Sequence, residues 1–460
     1  MLSEIEQFVN WTRRRSPEAR TWKDYGYDLR FFMQTVGDRP PKEITFRDID
    51  HFIAVQSEKG FKASTINRRL ASVISLYGFL SVEDAELACP VIFRRHHLRE
   101  QQRLPRPVEA EDLGVTLCHE HILMDGSGIF IQPTTASERA KAYQPINSSM
   151  PLEYLGWINY NWCSNLDNLR LLDERVVVDE VSLFRQPGGD TIVEVTPIGL
   201  GRDPQGLARI ARATGINIIM GTSYYVTALH PPEVETMTED EIYEKFVSDI
   251  TEGISDVAMG GGVTRIAGTK VCAGIIGEIG CTWPWGKNEK KVLRAGTRAQ
   301  RRTGAPLSIH PGRSEDAILE VIEFLREAGA DLTRTIISHI ERTIVNFETR
   351  RKVCEAGCYL GYDEFSVETN YPLSDIDLPN DYYRINQIIE LISNGYVKHI
   401  LLSHDLCWKT RWVHYGGLGY GHILNNIVPR MRRKGISDDH IHTMLVENPK
   451  RVLVLASSER

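Results

Sequence analysis

The spacing of apolar residues changes partway along the chain. Over residues 19–36 (ARTWKDYGYDLRFFMQTV), Trp22, Tyr25, Leu29, Phe32 and Met33 recur at three- and four-residue intervals, which predicts an amphipathic helix. Thr45 suits the start of a second helix, TFRDIDHFIAVQSEKG, and Gly60 its stop. Residues 63–80 predict a third, with Ile66, Leu70, Val73, Ile74 and Tyr77 as its apolar face. No strand pattern interrupts this stretch, so the chain opens on a small all-α bundle. Residues 90–110 (PVIFRRHHLREQQRLPRPVEA) lose the period and gather prolines and basic residues, which reads as a linker. Its Arg94, Arg95, His96, His97 and Arg99 suit solvent and phosphate equally well.

From residue 113 onward short apolar runs alternate with amphipathic helices. The strand candidates are 115–118, 191–196, 216–221, 273–279, 306–310, 335–339, 357–362 and 399–404. Helical patterns lie between them, at 239–254, 289–302, 314–328, 346–356 and 381–394. Eight strand-then-helix units predict a closed parallel (β/α)8 TIM barrel, with a long insertion over 126–180 after the first strand. The expected organisation is a helical domain over 1–88, a linker over 89–111 and a barrel over 112–460.

Composition excludes several classes. With 42% hydrophobic and 25% charged residues, the 460-residue chain is neither disordered nor collagen-like. A net charge of −7 argues against a nucleic-acid binder over the whole surface. The charge is uneven: residues 1–110 carry 18 Lys and Arg against 15 Asp and Glu, and the remainder 36 against 46. Eight cysteines without CxxC spacing read as reduced thiols of a cytoplasmic protein. MLSEIEQFVNWTRRR lacks the apolar core of a signal peptide, and no run of about 18 apolar residues predicts a membrane span.

In a (β/α)8 barrel the chemistry sits at the C-terminal ends of the strands. Strand 1 ends in His119-Glu120-His121, and residues two apart on a strand share a face. Strand 4 carries Glu278, strand 5 ends in His310, strand 6 in His339, and strand 8 in Asp405. Four imidazoles and two carboxylates converging on one mouth form the donor set of a binuclear metal centre without thiolate. Such a centre makes a hydroxide nucleophile near neutral pH. His404 is expected to point away from the mouth, Cys118 and Cys407 to be small core residues, and His440 and His442 to be solvated. Beyond His310, Arg313 suits an acidic headgroup through its planar fork. Glu341, Arg342, Tyr362, Trp408, His414 and Tyr415 are further mouth candidates, of which Tyr362 and His414 join Arg313 as the expected substrate contacts.

The run LGVTLCHEHILMD (113–125) resembles the opening signature of phosphotriesterase-family amidohydrolases. CAGIIGEIGCTWP (272–284), IHPGR (309–313), ISHIERT (337–343), GCYLGYDEF (357–365), LLSHD (401–405) and YGGLGYGHILNNIVP (415–429) resemble its phosphotriesterase-related subgroup. The resemblance spans about 113–455 and implies a hydrolase with two divalent metal ions, zinc in type, bridged by a hydroxide. By motif match His119 and His121 hold the more buried metal and His310 and His339 the more exposed one. Glu278 bridges both, and Asp405 ligates the buried metal and shuttles the proton. Many family members bridge with a carboxylated lysine; here GEIG supplies Glu278, and Lys270 lies before the strand. The bond implied is an amide, lactone or ester of a small molecule, with N-acyl amino sulfonates as the subgroup's associated class.

The first 107 residues carry a second resemblance. EQFVNWTR, ARTWKDYGYDLRFFMQTVG, ITFRDIDHFIA and KASTINRRLASVISLYGFL are similar to the SAM-like core-binding domain of tyrosine recombinases, the phage integrases. That resemblance implies weak DNA binding through residues 1–110, with Lys62, Arg68 and Arg69, and nearby Lys59, facing phosphates. No recombinase catalytic domain follows it. The leading expectation is a metal-dependent hydrolase with an appended helical domain. The alternative is a DNA-binding protein of integrase ancestry with a passenger or weakly active barrel. A homodimer is left open by both.

Overall fold

The computed structural model describes residues 1–15, 21–61, 63–82, 84, 86–92, 96, 108–146, 152–254, 256–259, 262–265, 270–370 and 376–455. Two compact units divide the chain, Met1–Leu104 and Pro105–Arg460. Lys62, Arg94, Arg95, His97 and Arg99 lie outside the described residues.

The first unit is built on four helices: α1 (Leu2–Arg15), α2 (Thr21–Val36), α3 (Phe46–Glu58) and α4 (Ala63–Leu80). The Asp48 carboxylate accepts from the Thr45 N–H and hydroxyl, closing the start of α3. Leu29 and Phe32 of α2 are fully buried against Ile49 and Phe52 of α3 and Val73 and Leu76 of α4. Ile74, assigned to the apolar face of α4 from spacing, is exposed, and Leu76 is buried instead. Of two residues expected to face DNA, Arg69 is buried in the bundle and Arg68 is half-exposed at its surface. The Arg69 guanidinium is buried between the rings of Phe31 and Phe61 and donates to Gln56 Oε1 at 2.7 Å. Arg68 forks onto the buried Asp28 carboxylate at 2.6 and 3.0 Å. Burying Asp28 requires a counter-charge, and these arginines supply it.

The second unit is the expected barrel. Eight strands pair in parallel in chain order: β1 (Thr116–Glu120), β2 (Thr191–Glu194), β3 (Asn217–Thr222), β4 (Ile275–Gly280), β5 (Leu307–His310), β6 (Thr335–Ile337), β7 (Tyr359–Tyr362) and β8 (Ile400–Leu402). The last strand meets the first through bonds at its C-terminal end. The His119 N–H donates to Ser403 Oγ at 3.0 Å, and the Asp405 N–H to the His119 carbonyl at 3.2 Å. Inside the sheet Leu113, Cys118, Val193, Val195, Ile275 and Ile336 pack with Val452 and Leu453. Outside it the helices seal a continuous core containing Ile192, Ile276, Leu307, Leu360 and Leu402. The insertion after β1 contributes helices at Ala136–Ala142 and Leu152–Tyr160 and a two-residue ribbon pairing Met124 and Asp125 with Leu171 and Arg170. Among the described residues no helix is long and apolar enough to cross a membrane.

β3 and β4 approach closely beside the mouth. A Cβ built on Gly221 would lie 2.1 Å from the Gly277 carbonyl oxygen, so only glycine fits there. Gly221→Ala is therefore expected to cost about 1–3 kcal/mol through forced separation of the two strands, read as a lowered midpoint in chemical denaturation of the barrel.

Candidate metal centre

Strict alternation along β1 does not explain how its histidines reach the mouth. Cys118 faces the barrel interior, so plain alternation would send Glu120 inward after it. The pairing of β1 with β2 slips between Leu117 and Glu120, and beyond that slip His119 and His121 both project into the mouth. The ladder of β4 against β5 slips in the same way between Ile276 and Ile279, around Glu278. Register breaks of this kind re-aim side chains next to functional sites. His339 and Asp405 sit immediately beyond β6 and β8 with φ of 57° and 52°. Non-glycine residues in that region cost on the order of 1–3 kcal/mol, and their surroundings must hold them there.

The six residues singled out at strand ends come together. The Glu278 carboxylate lies at the centre: Oε1 is 3.4 Å from His121 Nε2, and Oε2 is 3.6 Å from His119 Nε2, 3.0 Å from His310 Nδ1 and 3.6 Å from His339 Nε2. Asp405 Oδ1 stands 3.0 Å from His121 Nε2 and 3.7 Å from His119 Nε2. His119, His121 and Glu278 form one group of mutually close donors, and Glu278, His310 and His339 form another.

A second layer fixes the imidazoles. His339 Nδ1 bonds the Asp363 carboxylate at 2.8 Å, and the same oxygen accepts from the His339 N–H at 2.9 Å, bracing its unusual backbone. His119 Nδ1 meets Ser338 Oγ at 3.0 Å. His121 Nδ1 meets Thr196 Oγ1 at 2.9 Å, and that hydroxyl donates to the buried Glu194. Since the threonine proton is committed to Glu194, His121 Nδ1 is the donor and Nε2 is the ring atom that faces Glu278 and Asp405. The Tyr225 hydroxyl lies 3.1 Å from His310 Nδ1.

The charges are strongly coupled. Burial alone would raise Glu278, but the surrounding imidazoles, His119 foremost, hold its carboxyl well below the usual range. Burial opposes a proton on His121, yet Asp405 and Glu278 push it up to about 10. His310 is pushed down to about 4, by burial first and then by Arg342 and Arg313 despite Glu278. Burial, with Glu341 and Asp405 nearby, raises Asp363 well above its ordinary value. The pair Glu278 and Asp405 thus favours positive charge at the centre of the mouth.

A cavity of about 130 Å3 opens onto this cluster, lined by His121, Glu278, His310 and Asp405 on one side and by Ile129, Trp162, Leu229 and Trp408 on the other. Trp162, from the insertion, stacks on Trp408 at 4.2 Å. Of the three expected substrate contacts, Arg313 lines the cavity. Tyr362 does not: it is the last residue of β7 and turns into the hydrophobic core, fully buried. Nor does His414, which is exposed on the far side of the loop after β8. Arg342, ion-paired with Glu364, and Arg411 occupy the lining instead. Cys407 packs against the core, as expected, and also lines the cavity; burial beside Asp405 pushes its thiol up and keeps it protonated. Asp363 was legible in principle, since it follows β7 as directly as His339 follows β6. Thr196, Ser338 and Tyr225 carry no such signal, because hydroxyls at strand ends are ordinary.

A parallel (β/α)8 barrel with clustered imidazoles and carboxylates at the C-terminal mouth defines a barrel hydrolase. Residues 100–453 match the phosphotriesterase family, and the chain belongs to that family. Residues 5–84 match the phage integrase N-terminal SAM-like domain. The chain is 39% identical over 366 residues to an N-acetyltaurine hydrolase of Dictyostelium discoideum, covering 76% of this chain and 96% of that protein. It is 40% identical over 349 residues to an N-acetyltaurine hydrolase of Homo sapiens, covering 75% and 95%. The crystal structure of a resiniferatoxin-binding protein from Rhodobacter sphaeroides superposes with a TM-score of 0.69 at 31% identity, covering 76% of this chain and 95% of that one.

The loops around the cavity are tied together by Glu289. Its buried carboxylate accepts from the N–H and hydroxyl of Thr227 and of Thr282 and from the Gly286 N–H, at 2.8–3.0 Å. Glu289→Ala leaves these donors without an acceptor and is expected to cost about 2–5 kcal/mol in urea denaturation, far more than a surface Glu→Ala.

Proposed function

We propose that the barrel unit is a binuclear metal-dependent hydrolase, zinc in type, that cleaves the amide bond of N-acyl amino sulfonates such as N-acetyltaurine. The observation that carries this reading is Glu278, whose carboxylate lies within 3.0–3.6 Å of all four imidazoles. The donor set fits a pair of metal ions. It is entirely nitrogen and oxygen, and His119 Nε2 is buried without a hydrogen-bond partner, facing carboxylate oxygens of Glu278 and Asp405. His119, His121 and Asp405 would hold one ion, His310 and His339 the other, and Glu278 both. Two ions there supply Lewis acidity, which lowers the pKa of water and polarises the scissile carbonyl.

The chain's own groups do the rest. Asp405 is the least enclosed of the six, with a side chain 13% exposed toward the cavity it lines. Its carboxylate takes the proton of the attacking water and delivers it to the departing amine nitrogen. Arg313 on the cavity wall orients the anionic headgroup. The stacked Trp162 and Trp408 and the aliphatic side chains exclude bulk water, which strengthens every charge interaction in the cavity. The relatives named as N-acetyltaurine hydrolases align over about three quarters of this chain and nearly their full length, which supports the choice of an amide and a sulfonate.

Metal analysis of the purified full chain should find about two ions, and chelation should abolish turnover that added metal restores. In a panel of N-acetyltaurine, N-acetyl amino acids, a lactone, an aryl ester and a phosphotriester, N-acetyltaurine should be cleaved best. A preference for the lactone would replace the substrate class; absence of both metal and turnover would overturn the reading. Asp405→Asn should lower kcat by about 100- to 10,000-fold with the fold intact by circular dichroism. Arg313→Ala should raise KM for N-acetyltaurine by about tenfold and leave a neutral lactone unaffected.

A further inference from the structure

Glu120 stands between the two histidines of the first strand and takes no part in the reaction described above. It is fully buried, and the hydrogen bonds of its carboxylate all go to residues 403, 404 and 406, which flank Asp405. Its Oε1 accepts from Ser403 Oγ at 2.7 Å, from the His404 N–H at 2.8 Å and from His404 Nδ1 at 2.8 Å. Its Oε2 accepts from the Leu406 N–H at 3.1 Å. One carboxylate therefore holds the backbone on both sides of Asp405, whose own N–H is bound by the His119 carbonyl.

His404 completes the arrangement. The Ile423 N–H donates to His404 Nε2 at 3.2 Å, so that nitrogen is the acceptor and Nδ1 carries the proton given to Glu120. Arg411 closes the other side, donating to the carbonyls of His404 and Asp405. Asp405 has a φ of 52°, in the left-handed region that is costly for a non-glycine residue. That conformation is what brings its Oδ1 to 3.0 Å from His121 Nε2.

We propose that Glu120, with His404 behind it, is a positioning residue that clamps Asp405 onto the first-strand histidines and so sets the geometry of the metal pair and of proton transfer. The inference rests on the metal-hydrolase reading of the site. All four groups facing Glu120 are donors, so a glutamine there would set its NH2 against backbone or imidazole N–H groups.

The test uses the full chain as wild type, Glu120→Gln, His404→Ala and the double variant. Hydrogen exchange of residues 400–408 reads the clamp directly. The visible spectrum of the cobalt-substituted protein reads the ligand field, and kcat and KM with N-acetyltaurine read the reaction. In each single variant exchange at 403–406 should speed at least about tenfold, and the cobalt bands should shift. In each, kcat should fall about 10- to 100-fold with KM within about twofold. The double variant should be no worse than the more severe single variant. Loss of stability alone would leave the cobalt bands of the folded fraction in place. Protected amides, unshifted bands and an undiminished kcat in both single variants would overturn the proposal. Should Glu120→Gln not fold, His404→Ala decides by the same readouts. A wild type that takes up no cobalt and cleaves nothing would defeat the hydrolase reading, and exchange would still show whether Glu120 secures residues 403–406.

Discussion

The Glu278 carboxylate, buried where four imidazoles meet, is the constraint around which the barrel mouth is organised. A carboxylate in that position is tolerable only if positive charge or its equivalent surrounds it. The barrel meets this by delivering a histidine pair from β1 and single histidines from β5 and β6 to the same few ångströms. Asp405 adds negative charge rather than relieving it, and His121 is driven toward its cationic form between the two. A site so arranged favours positive charge at its centre.

Convergence of this kind needs more than strands in the right order. Regular pleating would face His119 away from the mouth, and the slipped ladders at β1 and β4 correct the aim. Left-handed backbone at His339 and Asp405 turns their side chains inward at the very end of their strands. Each of these two left-handed residues is held by a buried carboxyl group: Asp363 for His339, and Glu120 for Asp405. Glu289 does the same for the loops that frame the cavity, with no strain to restrain. The mouth is thus a set of precise but costly placements, and the left-handed ones are each held by a buried carboxyl group that accepts from backbone and imidazole donors.

The helical unit shows how charge can mislead when its partners are out of view. Arg68 and Arg69 lie in a basic stretch of sequence, and nothing in that stretch reveals that Asp28 faces them from another helix. Once α2 and α4 pack, the buried carboxylate draws the guanidinium groups to itself, and Phe31 and Phe61 sandwich the second of them. Arg69 is taken up wholly by these partners and Arg68 in part, because a charge in sequence has no address until the fold supplies its neighbours.

The sequence by itself determined the two-part architecture, all eight barrel strands and the six residues that meet at the mouth. These are properties of period and of position at strand ends, and both are local. Only the tertiary structure decided the rest. Tyr362 is a core residue because alternation at the end of β7 points it outward into the packed helices, while Asp363, one residue on, faces the site. His414 stands in solvent because the loop after β8 turns it away, and Arg411 and Trp408 take the cavity wall. Glu120 looks like a spacer between two histidines, yet its carboxylate bonds residues 283 to 286 positions away in the chain. Positioning depends on which groups satisfy one another across the closed sheet, and that pairing exists only when the last strand meets the first.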